Sequence, residues 1–121
     1  MNRFRHPREG RIRKTADFDR VYSQRQRLGD QHLLVFAAPN DVGRSRCGIS
    51  VSRKHGNAVE RTRLKRLLRA AFRLSQHDVP AGLDMILIPR QGSGAGLDDY
   101  RRSVVRLSWK LAHRLCLEDA P

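Results

Sequence analysis

The segment at residues 53–73 constrains this chain more than any other. Read at helical spacing, Leu64, Leu67, Leu68, Ala71 and Phe72 form one apolar stripe. Arg61, Lys65, Arg69 and Arg73 recur at four-residue steps along one flank of it, while Arg63 and Arg66 point further round. Asn57 is a favourable N-cap, and Glu60 stands where a capping-box acid reaches back, so a helix is expected over 57–74. Such a helix docks its stripe on the rest of the chain and holds fixed positive charge in solvent. A polyanion, and nucleic acid first, is the implied partner.

The whole chain extends that reading. Its 121 residues suit one core, and 25 Lys+Arg against 12 Asp+Glu give a net charge of +13. A surface of this sign attracts phosphate backbones at long range. Arginine outnumbers lysine, and a guanidinium grips phosphate bidentately and stacks on bases. Hydrophobic residues make up 39% of the chain, too many for a disordered polycation. No apolar run is long enough to span a membrane, and the first residues lack the apolar stretch of a secretory signal. We expect a mobile basic arm at 1–10, one nucleic-acid-binding α/β unit at 11–117 and a tail at 118–121. Cys47 and Cys116 show no CxxC spacing, which implies reduced thiols and a cytoplasmic protein.

Element by element, Thr15 is expected to cap a first helix through Gln24, with Phe18, Val21 and Tyr22 on one face. Residues 32–38 read as a strand, residues 39–43 as a turn, and residues 46–53 as an alternating strand, with Cys47, Ile49 and Val51 opposite Gly48, Ser50 and Ser52. An antiparallel hairpin is the expected pairing of these two strands. Residues 84–89 form a buried type of strand, the glycines of 91–96 a loop without phosphate-loop spacing, and residues 98–117 a last helix. Its inner side carries Tyr100, Val104, Leu107, Leu111 and Leu115. The order αββαβα, with room for a further short strand in the first half, is an α+β fold of α/β-sandwich type.

No catalytic constellation is visible. The histidines at 6, 32, 55, 77 and 113 lack metal-ligand spacing, and His77-Asp78 is the one weak acid/base pair. Phe72 and Trp109 are expected in the core. Phe18, Tyr22 and Phe36, the last beside Leu34, fit two readings: core, or a stacking platform for unpaired bases, worth ~1–3 kcal/mol per base.

The run Ile49-Ser50-Val51-Ser52-Arg53-Lys54, then Gly56-Asn57-Ala58-Val59, then Arg61-Thr62-Arg63-Leu64-Lys65-Arg66 with Arg69 and Phe72, resembles the signature of the bacterial ribonuclease P protein family. Arg11-Ile12-Arg13-Lys14, Asp17-Phe18 and Val21-Tyr22 resemble that family's opening segment, and residues 84–90 its third main strand. Thr62 stands where the family usually has Asn, keeping an oxygen but losing the amide donors. His55 replaces a commonly apolar or basic position. The resemblance implies a mixed sheet of about four strands, three helices and a left-handed β-α-β crossover through the basic helix. It also implies binding of the catalytic RNA subunit and of the single-stranded 5′ leader of precursor tRNA. The RNA, with its own Mg²⁺, would perform the hydrolysis, and the protein would bind no cofactor or metal itself.

On that basis Phe18, Tyr22, Leu34, Phe36, Arg61, Thr62, Lys65 and Arg69 are assigned to the leader. Arg53, Lys54, Asn57, Arg63 and Arg66 are assigned to the ribozyme RNA, with Asn57 acting as cap, RNA contact or both. Arg11, Arg13 and Lys14 are backbone contacts of the arm. One protein per RNA, with no membrane, is expected. A general RNA-binding structural protein and a self-contained basic nuclease are the rival readings. The first predicts no discrimination for the leader; the second predicts cleavage by the protein alone.

Overall fold

The structure is a computed structural model, and it describes residues 10–115. The expected arm, apart from its last residue, the tail and Cys116 lie outside these. The elements run α1 (Thr15–Ser23), β1 (Arg27–Gly29), β2 (Leu33–Pro39), β3 (Arg46–Ile49), α2 (Ala58–Ser75), β4 (Leu83–Pro89) and α3 (Leu97–Arg114). A single 3-10 turn, Arg53–His55, links β3 to α2. The four strands form one mixed sheet in the order β1-β2-β4-β3. β1 is the short strand for which the first half left room. Strand β2 runs antiparallel to β1 and β4, and β3 runs parallel to β4. Helix α2 is therefore the crossover between two adjacent parallel strands.

The expected hairpin between the second and third strands does not form. β4 lies between them, pairing Leu33–Pro39 on one side and Arg46–Ile49 on the other. The reason is apolar content. Strand β4 is buried on nearly every residue and gains most from a central place, whereas β3 has only four residues. The chain after β2 therefore passes over the end of β4, and the Asn40 N–H donates to the Gly82 carbonyl at 2.8 Å. Strand β3 also stops at Ile49, because Ser52 caps the 3-10 turn instead of extending the ladder. Helix α1 starts one residue after Lys14, whose side chain makes no cap bond, so Thr15 is not the cap.

Alternation along the strands sends Leu33, Val35, Ala37, Cys47, Met85 and Leu87 to the face covered by α2 and α3. There they pack with Leu68, Ala71, Phe72, Tyr100, Val104, Leu107 and Leu111. The stripe of α2 is thus core at Leu68, Ala71 and Phe72 and half-buried at Leu64 and Leu67. Trp109 is not core: it is 45% exposed, and its indole N–H donates to the Asp78 carbonyl at 2.7 Å. Leu107, Ser108, Leu111 and Ala112 already fill the inner side of α3, which leaves the indole at the rim.

Candidate RNA interface

On the other face of the sheet the same strands present Leu34, Phe36, Ala38, Gly48, Ile86 and Ile88. Only α1 lies there. Val21 of α1 packs with Ile12, Ala38 and Ile86, and Phe18, Tyr22, Phe36 and Ile88 surround this small cluster half-buried. The Tyr22 and Phe36 rings meet edge to face with centroids 4.9 Å apart. Phe18 lies directly over Gly48, where an added Cβ would come within 2.6 Å of the ring. A glycine in this strand is what lets the end of the aromatic ring come this close to the sheet. Leu34 and Ile88 are cross-strand partners. With Ser52, Lys54, His55, Arg90 and Gln91 they line a cleft of about 400 Å³.

The outer edge of β3 brings cations to this floor. Arg11 forms a parallel bridge with Cys47, and the Ile12 N–H donates to the Cys47 carbonyl at 3.0 Å. Arg11 and Arg13 thereby stand beside Arg69 of α2 around a pocket of about 210 Å³ whose floor includes Gly48 and Ile49. Gly48 belongs to both features, so the aromatic floor and the guanidinium wall meet at one residue. The Nε of Arg11 is buried with no hydrogen-bond partner among the described residues. Arg61 and Lys65 continue the row from Arg69 along α2 and are half-buried. Sequence reasoning had set Arg11 and Arg13 apart as arm contacts, because a one-residue bridge carries no pattern. Lys14 is exposed, and its carbonyl accepts the first N–H groups of α1. Burial pushes the Cys47 thiol up to about 12, with Arg69 and Arg11 pulling the other way, so it is no nucleophile.

The opposite flank of α2 is built by its cap. The Asn57 side-chain oxygen accepts from the Glu60 N–H at 2.9 Å, and the Glu60 carboxylate accepts from the Asn57 N–H at 3.0 Å. Gly56, at φ +123°, leaves the space that Glu60 occupies: a Cβ there would lie 2.6 Å from its Oε1. Asn57 is thus a cap through its oxygen. Arg63 shares a cleft of about 200 Å³ with Lys54, His55, Glu60, Arg90, Tyr100 and the glycine-rich loop. Lys54 therefore borders both this cleft and the one beside Leu34. Arg53, Thr62 and Arg66 are exposed. Arg90 was not among the assigned residues, although it stands at the junction of both clefts.

The buried carboxylates are structural. Asp84 has no exposed side-chain surface; it accepts from Arg46 at 2.8 and 2.6 Å, from Asn40 at 2.8 Å and from Arg20 of α1. Asp30 accepts from the N–H groups of His32 and Leu33, both at 2.9 Å, from the Ser103 hydroxyl at 2.6 Å, and from Arg106. With their oxygens so occupied, neither carboxylate fits a metal. Among the described residues no three His, Cys, Asp or Glu side chains gather to hold one. Nor is any described helix long and apolar enough to cross a membrane.

A basic, mixed α/β protein with partly buried aromatics on one sheet face and cations along its rim fits an RNA-binding class. Its relatives narrow this further. The family model for ribonuclease P matches residues 6–112. A ribonuclease P protein component of Desulfovibrio desulfuricans is 38% identical over 109 residues, covering 88% of this chain and 84% of that one. The ribonuclease P protein of Staphylococcus aureus superposes with a TM-score of 0.71 at 32% identity, covering 85% and 94% of the two chains. That of Thermotoga maritima gives 0.72 at 30% identity, covering 80% and 96%. The chain belongs to the ribonuclease P protein family.

Proposed function

We propose that this chain is the protein subunit of ribonuclease P and holds two RNAs on opposite flanks of α2. The observation that carries the division is the meeting of aromatic floor and guanidinium wall at Gly48, across the helix from Lys54 and Arg63. The single-stranded leader of precursor tRNA lies on the open sheet face. Phe18, Tyr22, Phe36 and Leu34 stack or pack against its bases, and Arg61, Lys65 and Arg69, with Thr62 beside them, take its phosphates. Arg11 and Arg13 belong with this wall, and Lys14 adds charge at the start of α1. The catalytic RNA subunit takes the other flank, on Arg53, Lys54, Arg63 and Arg66 at the capped end marked by Asn57.

The protein's part is electrostatic and positional. Clustered cations offset repulsion between two RNAs, and each phosphate neutralised on a single strand adds ~0.7 to the salt slope of log K. Stacking holds the leader extended, and the RNA subunit with its Mg²⁺ hydrolyses the phosphodiester. One protein per RNA subunit, in the cytoplasm and away from membranes, completes the proposal. Phe18→Ala with Tyr22→Ala, assayed in the reconstituted holoenzyme, should weaken precursor tRNA by about tenfold or more. Mature tRNA should be nearly unaffected, and equal losses for both ligands would overturn the leader assignment. Arg63→Ala with Arg66→Ala should mainly weaken holoenzyme assembly.

A further inference from the structure

His55 closes the 3-10 turn that carries Arg53 and Lys54, and its two ring nitrogens have different partners. Nδ1 lies 3.0 Å from the Ser52 N–H, and Nε2 lies 2.7 Å from the Pro89 carbonyl oxygen. A backbone N–H can only donate and a carbonyl can only accept, so Nδ1 is the bare nitrogen and Nε2 carries the proton. The ring in this one neutral tautomer ties the turn to the end of β4. The turn also closes on itself: the His55 N–H donates to the Ser52 carbonyl at 2.9 Å and the Lys54 N–H to the Ser52 hydroxyl at 3.3 Å. Among the described residues, the imidazole makes the one hydrogen bond that ties the turn at Ser52–His55 to the sheet.

We infer that His55 is a positioning residue for RNA binding: in its neutral form it clamps Ser52 to Pro89 and so presents Arg53 and Lys54 as a fixed pair of cations. This rests on the reading of that turn as a ribozyme-RNA contact. A protonated ring would set an N–H against the Ser52 N–H and open the clamp. The charged groups around the ring are Lys54 on the turn, Glu60 and Arg63 of α2, and Arg90 after β4.

The test measures affinity of the full-length protein for the ribonuclease P RNA subunit, with thermal unfolding as a check on folding. His55→Leu fills the space without either hydrogen bond and should bind about three- to tenfold more weakly near neutral pH. His55→Gln can accept and donate at similar positions, and should recover affinity to within about twofold of wild type. The Leu effect should vanish when Arg53→Ala and Lys54→Ala are both present. An unchanged His55→Leu, or a Leu penalty that persists without the two cations, overturns the positioning role alone. If Arg53→Ala with Lys54→Ala leaves affinity unchanged, the assignment of the turn to RNA fails, and this inference with it.

Discussion

The two faces of the sheet are made from alternate residues of the same strands, yet only one became a closed core. Toward α2 and α3, Leu33, Val35, Ala37, Met85 and Leu87 have no exposed surface. Toward α1, Ala38 and Ile86 are buried beneath Val21, but Leu34, Phe36 and Ile88 stay partly exposed. The difference is coverage: among the described residues, two helices of 18 residues lie on one side and one of 9 on the other. Apolar alternation selects which residues share a face, but the amount of helix laid over that face decides whether it stores stability or remains open to a ligand.

The largest expected effect tests this contrast directly. Phe72→Ala, on the closed side, should cost ~3–5 kcal/mol of folding stability in denaturant titration. Phe36→Ala, on the open side, should cost about half as much because its ring is only partly buried. In exchange it should lose ~1–3 kcal/mol of leader binding. A Phe36 penalty equal to that of Phe72, with leader affinity intact, would mean that both faces are simply core.

A smaller effect sharpens the description of the open face. Gly48→Ala forces Phe18 off its seat on the sheet and should destabilise by ~1–3 kcal/mol. In a Phe18→Ala background most of that penalty should disappear, giving a coupling well outside additivity. Independent, additive penalties would show that the ring does not depend on the bare strand beneath it.

Much of this contrast was legible in the chain, and the missing parts have physical causes. The stripe Leu64, Leu67, Leu68, Ala71 and Phe72 and the cap at Asn57 and Glu60 follow from local spacing, and both are present. Strand pairing was misassigned because adjacency in sequence favours a hairpin, while the doubly buried β4 competes from more than thirty residues away. The place of Arg11 and Arg13 beside Arg69 rests on one isolated bridge to Cys47, which has no periodic signature. Asp84 stood in an apolar run, and nothing nearby in sequence announced Arg20 and Arg46 as its partners. The double role of His55 likewise needs Pro89, 34 residues further on. Local periodicity encodes faces and caps; contacts between distant elements decide which face is open.

Each helical layer is also anchored by one carboxylate, and these two anchors differ. Asp84, itself held by Arg46 of β3, ties α1 to the sheet through Arg20, whereas Asp30 ties α3 to the β1–β2 turn through Ser103 and Arg106. Burial pushes the Asp30 carboxyl up, but the Ser103 hydroxyl, the His32 and Leu33 N–H groups and Arg106 together hold it below the ordinary aspartate value. A carboxyl lowered in the folded state contributes stability that is present above its unfolded value, about 4, and is lost as pH falls through the folded one. Asp30→Asn keeps an acceptor for the backbone N–H groups but presents no anion to Arg106. It should therefore lower the unfolding temperature at neutral pH and flatten the fall in stability below about pH 4. Thermal unfolding across that range measures both. If the variant keeps the wild-type slope, Asp30 is not the acid-sensitive tie of the closed face, and the acid lability of that side lies with another carboxylate.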